Sequence, residues 1–182
     1  MITAHLFQEA SYGNPRAEKE IFDLTYRNLF STAIRYLKIE EDAEESVMSA
    51  FIKFFISLKD FQYLNEAATM AFLKKCLINE CLMQLRKKRS FQIISMSETK
   101  DEVVNEAALN NLSTNQLLQT IAELPIGYRT VFNLYEIEGY QHREIAALLD
   151  ITEGTSKSQL YKAKQLLQKN IISKQSYYAK QG

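Results

Sequence analysis

The 182-residue sequence is poor in the residues that punctuate and cross-link chains: five glycines, two prolines, two cysteines, two histidines and no tryptophan. So little glycine and proline argues against a β-sandwich or barrel, whose many tight turns need both. It favours helices joined by short connections. Cys76 and Cys81 offer neither a disulfide framework nor a zinc spacing. There is no glycine-rich phosphate loop, no nucleophile elbow and no Glu-x-x-His pair beside the acidic Glu44-Glu45 doublet. The chain therefore reads as a binding protein rather than an enzyme, with no metal, no cofactor and no small-molecule substrate expected. No apolar run approaches the roughly 18 residues that span a bilayer. The first residues lack a basic segment followed by an apolar stretch, so a cytoplasmic location is expected.

What the chain has is charge, and it is sorted. Lys+Arg and Asp+Glu both total 22, a formal net charge of zero. From Gly154 to the end, however, there are six lysines (157, 162, 164, 169, 174, 180) and no acid. Residues 72–90 carry Lys74, Lys75, Arg86, Lys87, Lys88 and Arg89 against Glu80 alone. Two basic patches in an otherwise acidic chain suggest two places that meet a polyanion. The plainer alternative is that these charges only solvate helix faces.

Apolar periodicity predicts three helices in the first half. Phe22, Tyr26, Leu29, Ala33 and Leu37 form one stripe, and 38–40 makes a short connection. A second helix from about Asp42 turns Ala43, Val47, Ala50, Phe51, Phe54 and Leu58 inward. After a loop over 59–67, a third helix runs from about Thr69 to Lys88 with Leu73, Leu77, Cys81 and Leu85 on one face. Residues 91–112 are polar, acidic and weakly periodic, a connector. The second half opens near Ser113, three residues before Gln116 in a capping-box arrangement. One helix ends at Leu124-Pro125, a second covers 127–138 and stops at Gly139 as a left-handed cap, a third covers 141–149, and the last runs from Glu153 to about Ile172. The expected fold is all-α: two small helical domains, residues 1–90 and 113–175, joined by a flexible acidic linker (91–112) and followed by a tail (176–182).

Residues 142–167 have the layout of a helix-turn-helix. Ile145, Ala146 and Leu149 face Ser156, Leu160, Ala163 and Leu167 across the turn at Asp150-Ile151-Thr152. Thr155, Lys157, Ser158, Gln159, Tyr161, Lys162 and Lys164 are expected to point away from that core. Hydroxyls and amides suit base edges, while lysines and a helix N-terminus suit phosphates. In the first half, Lys75, Asn79, Arg86 and Arg89 share a helix face with only Leu82 interrupting, next to a loop holding Phe61, Tyr63 and Asn65. Basic residues beside aromatics are the composition of a single-strand binder. Phe61 and Tyr63 have a second reading, as core.

Residues 124–168 resemble region 4 of the sigma-70 superfamily, in particular the short extracytoplasmic-function (ECF) sigma factors of bacterial RNA polymerase, in wording similar to members from the Bacteroidota. The residues carrying this are Leu124-Pro125, Arg129-x-Val131-Phe132, Glu138-Gly139, Glu144-Ile145-Ala146, Glu153-Gly154-Thr155, Lys157-Ser158 and Ala163. Residues 21–55 are similar to regions 2.1–2.2 through Ala33-x-Arg35-Tyr36-Leu37 and Asp42-Ala43-Glu44-Glu45-x-Val47. Residues 72–86 are similar to regions 2.3–2.4, with Asn79 and the closing Leu85-Arg86. The chain departs from the family pattern at Ser156 (Val is common), Gln159 (Arg), Ser49-Ala50 (Gln-Glu or Gln-Asp), Phe72 (Trp) and Met83 (Asp).

The resemblance implies a transcription initiation factor that directs core polymerase to promoters. Region 4 would read the −35 element in the major groove through Thr155, Lys157, Ser158, Gln159, Tyr161 and Lys162, with Gln141 and Arg143 near phosphates, and dock on the polymerase β flap. Region 2 would grip the β′ clamp helices through Arg35, Tyr36, Asp42, Glu45 and Phe51. It would capture the melted −10 element through Phe61, Tyr63, Asn65, Lys75, Asn79, Arg86, Lys87 and Arg89. The acidic linker would enter the active-site and RNA-exit path, or serve only as a tether. An anti-sigma factor is an expected partner. The alternative from a different class is a stand-alone helix-turn-helix regulator that never joins polymerase.

Overall fold

The computed structural model describes the backbone of residues 1–87 and 114–178 and the side chains of 1–87 and 118–172. The connector 91–112, Lys88, Arg89, the Ser113 cap and the last four residues lie outside the described residues. The chain divides into two compact units, Met1–Arg89 and Ser90–Gly182, and every regular element among the described residues is helical.

The described residues of the first unit form four helices, one more than the sequence predicts: α1 (Ala4–Ser11), α2 (Pro15–Leu37), α3 (Glu40–Ser57) and α4 (Glu66–Lys87). The unforeseen α1 is capped by Thr3, whose hydroxyl accepts from the Leu6 N–H at 3.2 Å. It buries Leu6, Phe7 and Ala10. Gly13, at φ 79°, turns the chain into α2. Asn14 caps α2 by accepting from the Arg16 N–H, and Pro15 occupies the first turn, where its missing N–H costs nothing. α2 is longer at its start than the apolar stripe implies. Its deepest residues are Ile21, Leu29, Ala33 and Tyr36. The expected Phe22 and Tyr26 lie half-buried beside them in an aromatic row, Phe22–Tyr26 at 5.0 Å, Tyr26–Phe30 at 5.8 Å and Phe22–Phe51 at 4.7 Å. Lys38 adopts the left-handed conformation (φ 66°), donates its N–H to Ile34 and lets α3 start at once. No side chain caps α3; Glu40, Glu41 and Asp42 in its first turn complement the helix dipole instead.

The predicted inward residues of α3 and α4 are all buried: Ala43, Val47, Ala50, Phe51, Phe54 and Leu58 meet Leu73, Leu77, Cys81 and Leu85. Each large side chain among them contributes roughly 1.5–3 kcal/mol by leaving water.

The second unit comprises α5 (Thr114–Glu123), α6 (Ile126–Phe132) continuing into a π turn (Asn133–Ile137), α7 (His142–Leu149) and α8 (Glu153–Tyr178). Ile121, Leu124, Ala163 and Leu167 form one cluster of its core, with Tyr128, Phe132 and Leu166 packed around them, and Val131, Leu134, Ile145 and Ile171 are fully buried as well. The π turn was not foreseen. It shows as the Glu138 N–H bonding Asn133 O, five residues back, at 2.9 Å, and it widens the helix just before Gly139 (φ 78°) ends it.

Arg129 ties α5 to α6. Its guanidinium Nη1 donates to Ala122 O and Leu124 O, both at 3.2 Å, and so satisfies carbonyls left open where α5 ends. Burial pushes its pKa down to about 10, which still leaves it charged at neutral pH.

Candidate nucleic-acid interface

The helix-turn-helix forms as its sequence predicts. The backbone N–H of Gln141 donates to the Glu144 carboxylate at 2.7 Å, which starts α7. Asp150 takes the left-handed conformation (φ 55°) that only small polar residues and glycine adopt readily. Thr152 then caps α8, its hydroxyl accepting from the Thr155 N–H at 3.0 Å. Ile145, Leu149, Ser156, Leu160, Ala163 and Leu167 are all buried, and Ala146 is half-buried. A polar clasp joins the two helices: His142 Nδ1 and Ser156 Oγ lie 2.9 Å apart, and the imidazole stacks on Tyr135 at 4.4 Å. Burial, reinforced by Lys157, holds the His142 pKa below the ordinary imidazole value.

The opposite face of α8 is open. Lys157, Tyr161 and Lys164 are exposed, Thr155, Ser158 and Lys162 half-exposed, and Gln141 and Arg143 stand exposed at the start of α7. Lys157 pairs with Glu153 at 2.8 Å and Lys164 with Glu136 at 2.7 Å. Gln159 corrects the sequence reading. It is only 4% exposed, turned towards α6, and a Cβ on Gly127 would stand 3.4 Å from its Oε1. It packs α8 onto α6 and cannot reach a base edge. Four-residue spacing from Thr155 suggests the outer face, but α6 lies on that flank and covers it.

In the first unit, Lys75, Asn79, Arg86 and Lys87 are exposed along α4. The row between them runs through exposed Met83, not through Leu82, which is buried. Glu80, the one acid of this basic segment, is taken up by Lys53 of α3 at 2.6 Å, so it does not oppose the cationic row.

The neighbouring loop follows the second reading of its two aromatics, as packing residues. Phe61 stacks face to face on Phe72 at 4.4 Å, and Phe7 of α1 lies 6.0 Å from Phe61 and 5.2 Å from Tyr63. The Tyr63 hydroxyl donates to Ile2 O at 3.0 Å. These two aromatics are half-buried and held by those contacts, while Gln62 and Leu64 face solvent. Asn65 is exposed, but its side chain is engaged as the cap of α4, accepting from the Ala68 N–H at 2.8 Å.

Of the five residues expected to meet polymerase, Tyr36 and Phe51 are buried in the core. Asp42 is nearly buried and Arg35 half-buried. Glu45 is exposed and accepts from Gln84 Nε2 at 3.1 Å. The outward face of α3 instead shows Met48, Ile52 and Ile56, the last two 60% and 68% exposed, below the acidic Glu41, Glu44 and Glu45. Their four-residue spacing, off the buried stripe, was a legible signal that sequence reasoning passed over.

Two helical units, one presenting a helix-turn-helix with a cationic outer face and the other a basic helix beside a braced loop, define a modular DNA-binding protein. The Sigma-70 region 2 profile matches residues 21–91 and the Sigma-70 region 4 profile residues 114–167. The chain is 24% identical to the ECF RNA polymerase sigma factor SigW of Bacillus subtilis, over 94% of this chain and 97% of that one. It is 24% identical to the RNA polymerase sigma-H factor of Pseudomonas aeruginosa, over 94% and 96%. Among solved structures it shares the fold of the sigma factor RpoE from Bartonella quintana, solved with the anti-sigma factor NepR (TM-score 0.52, 22% identity, 85% of this chain and 96% of that one). The chain belongs to the sigma-70 superfamily and, within it, to the ECF sigma factors: it is a transcription initiation factor that directs core RNA polymerase to promoters. No helix among the described residues is long and apolar enough to cross a membrane.

Proposed function

We propose a division of labour between the two units. The second unit reads the −35 element with the outer face of α8, where Lys157, Ser158, Tyr161 and Lys162 approach the major groove and Gln141 and Arg143 approach phosphates. The first unit captures the unpaired −10 element along Lys75, Asn79, Arg86 and Lys87 and the loop tip at Gln62, Leu64 and Asn65. It grips the β′ clamp helices through the exposed face of α3. The work is binding throughout, with no covalent step. The site of action is the cytoplasm, where polymerase and promoter are. An anti-sigma factor that covers these faces is the matching regulator, as RpoE is held by NepR.

The observation that carries this reading is the asymmetry of α8. Its inner face is closed by Ser156, Leu160, Ala163 and Leu167, while its outer face offers lysines and Tyr161 immediately after a tight turn. A stand-alone regulator would leave the first unit, and its match to region 2, without a role.

The test is pull-down of core polymerase with the parent chain and with Ile52→Glu. Ile52 is exposed, so the variant should keep its melting temperature and lose at least about tenfold in core affinity, as expected for a buried interface anchor. Unchanged affinity would remove α3 from the interface, and no complex with the parent chain would remove the polymerase-binding role.

A further inference from the structure

The loop between α3 and α4 alternates in direction. Phe61 and Tyr63 turn inward, while Gln62 and Leu64 turn out, Leu64 being 70% exposed. The inward pair does not rest on α3 and α4 alone. Phe7 of α1, itself buried, contacts both rings. Ile2 forms the joint. Its carbonyl accepts from the Tyr63 hydroxyl at 3.0 Å, and its N–H donates to the Glu66 carboxylate at 2.7 Å. Tyr63 lies within the loop and Glu66 is the first residue of α4, so one residue of the N-terminal segment fixes both the loop and its exit. The Ile2 side chain is buried too, so the joint is itself immobilised. Asn65, capping α4 between those two points, pins the remaining turn.

A loop that must receive an unstacked base binds more tightly when its ordering cost is met before the base arrives. We propose that the segment 1–11 is a brace that pre-organises the 61–65 loop for an unpaired promoter base, which makes Ile2, Phe7 and Tyr63 positioning residues for −10 recognition. Gln62 and Leu64, the exposed side chains of the braced loop, would meet the base. The inference rests on the assignment of this loop to the −10 element, and the experiment below separates the two.

The experiment uses full-length chain with core polymerase on a promoter selected by run-off transcription. It reads the ratio of transcription from the selected −10 sequence to that from each single-base variant. A general loss of folded protein lowers all templates together and leaves this ratio unmoved; a misplaced loop changes it. Tyr63→Phe keeps the ring against Phe7 and removes only the hydroxyl bond to Ile2. It should lower discrimination by about fivefold, the worth of one ordinary hydrogen bond. Phe7→Ala should lower it further, with affinity for core polymerase and for −35 duplex retained. Should Phe7→Ala fail to fold, Tyr63→Phe decides alone. Parent-like discrimination in Tyr63→Phe overturns the brace. In parallel, Gln62→Ala and Leu64→Ala test the loop itself. If they alter discrimination and Tyr63→Phe does not, the brace falls and the −10 assignment stands; if they leave it unchanged, the −10 assignment falls with it.

Discussion

Lys157→Ala gives a quantitative test of the proposal that the outer face of α8 reads the −35 element. Lys157 lies one turn into α8, 61% exposed at its side chain, and its ammonium is held 2.8 Å from Glu153. That bond, with the nearby charge, holds the Glu153 carboxyl below its usual range, so Glu153 stays a carboxylate in the free protein. A DNA phosphate approaching α8 competes with that carboxylate. Each phosphate neutralised contributes about 0.9 to the log–log slope of affinity against salt. Between roughly 50 and 200 mM salt, one contact therefore accounts for about a 3.5-fold fall in affinity. Loss of Lys157 and Lys162 together should flatten the slope by about 1.8 units.

The assay is titration of a labelled promoter fragment with reconstituted holoenzyme across that salt range. Lys19→Ala is the control, because Lys19 pairs with Asp23 in the same i,i+4 geometry on α2, remote in sequence from either basic patch. Glu153→Gln should raise affinity at low salt, since it frees Lys157 and removes a repelling charge. A slope unchanged by Lys157→Ala, or changed equally by Lys19→Ala, would refute the placement of phosphate on this turn.

Other outcomes follow from buried polar groups. Arg129→Met should cost the second unit about 1.5–3 kcal/mol, the range for hydrogen bonds to a charged donor, measured by chemical denaturation. Gln159→Met should stabilise by roughly 1 kcal/mol, because the buried Oε1 has no hydrogen-bond partner among the described residues, and should leave −35 affinity unchanged. Loss of −35 affinity in that variant would restore Gln159 as a DNA contact. His142 has a depressed pKa in the fold, so the unfolded chain binds more protons below the ordinary value of 6.5. Stability from this group is present above that pH and lost as pH falls through the lower folded value; His142→Gln should flatten the decline, seen as melting temperature against pH.

How much of this was legible depends on whether a residue's partner was near in sequence. The helix-turn-helix was readable because its contacts close within a few turns, and because Pro125, Gly139 and Asp150 mark its breaks. The buried faces of α3 and α4 were readable because their apolar stripes are long. α1 was missed because the residues its Phe7 packs against, Phe61 and Tyr63, lie more than fifty positions further along the chain, as do Tyr63 and Glu66, the partners of the preceding Ile2. For Phe61 and Tyr63 the sequence left two readings, single-strand contact and core, because composition shows aromatics beside a basic helix but not that Phe7, over fifty positions earlier, packs against both. Tyr36 and Phe51 fit the family pattern, yet a pattern does not separate residues that build a surface from residues that touch the partner. The π turn at Asn133–Ile137 adds one residue per turn without breaking the apolar run, so periodicity does not register it.

Run-off transcription from a pool of genomic fragments, with core polymerase and this chain, reaches the central claim most directly. Discrete transcripts that core polymerase alone does not make, sharing two upstream elements, are the expected result. Transcripts no different from those of core polymerase alone would contradict promoter-directed initiation by this chain.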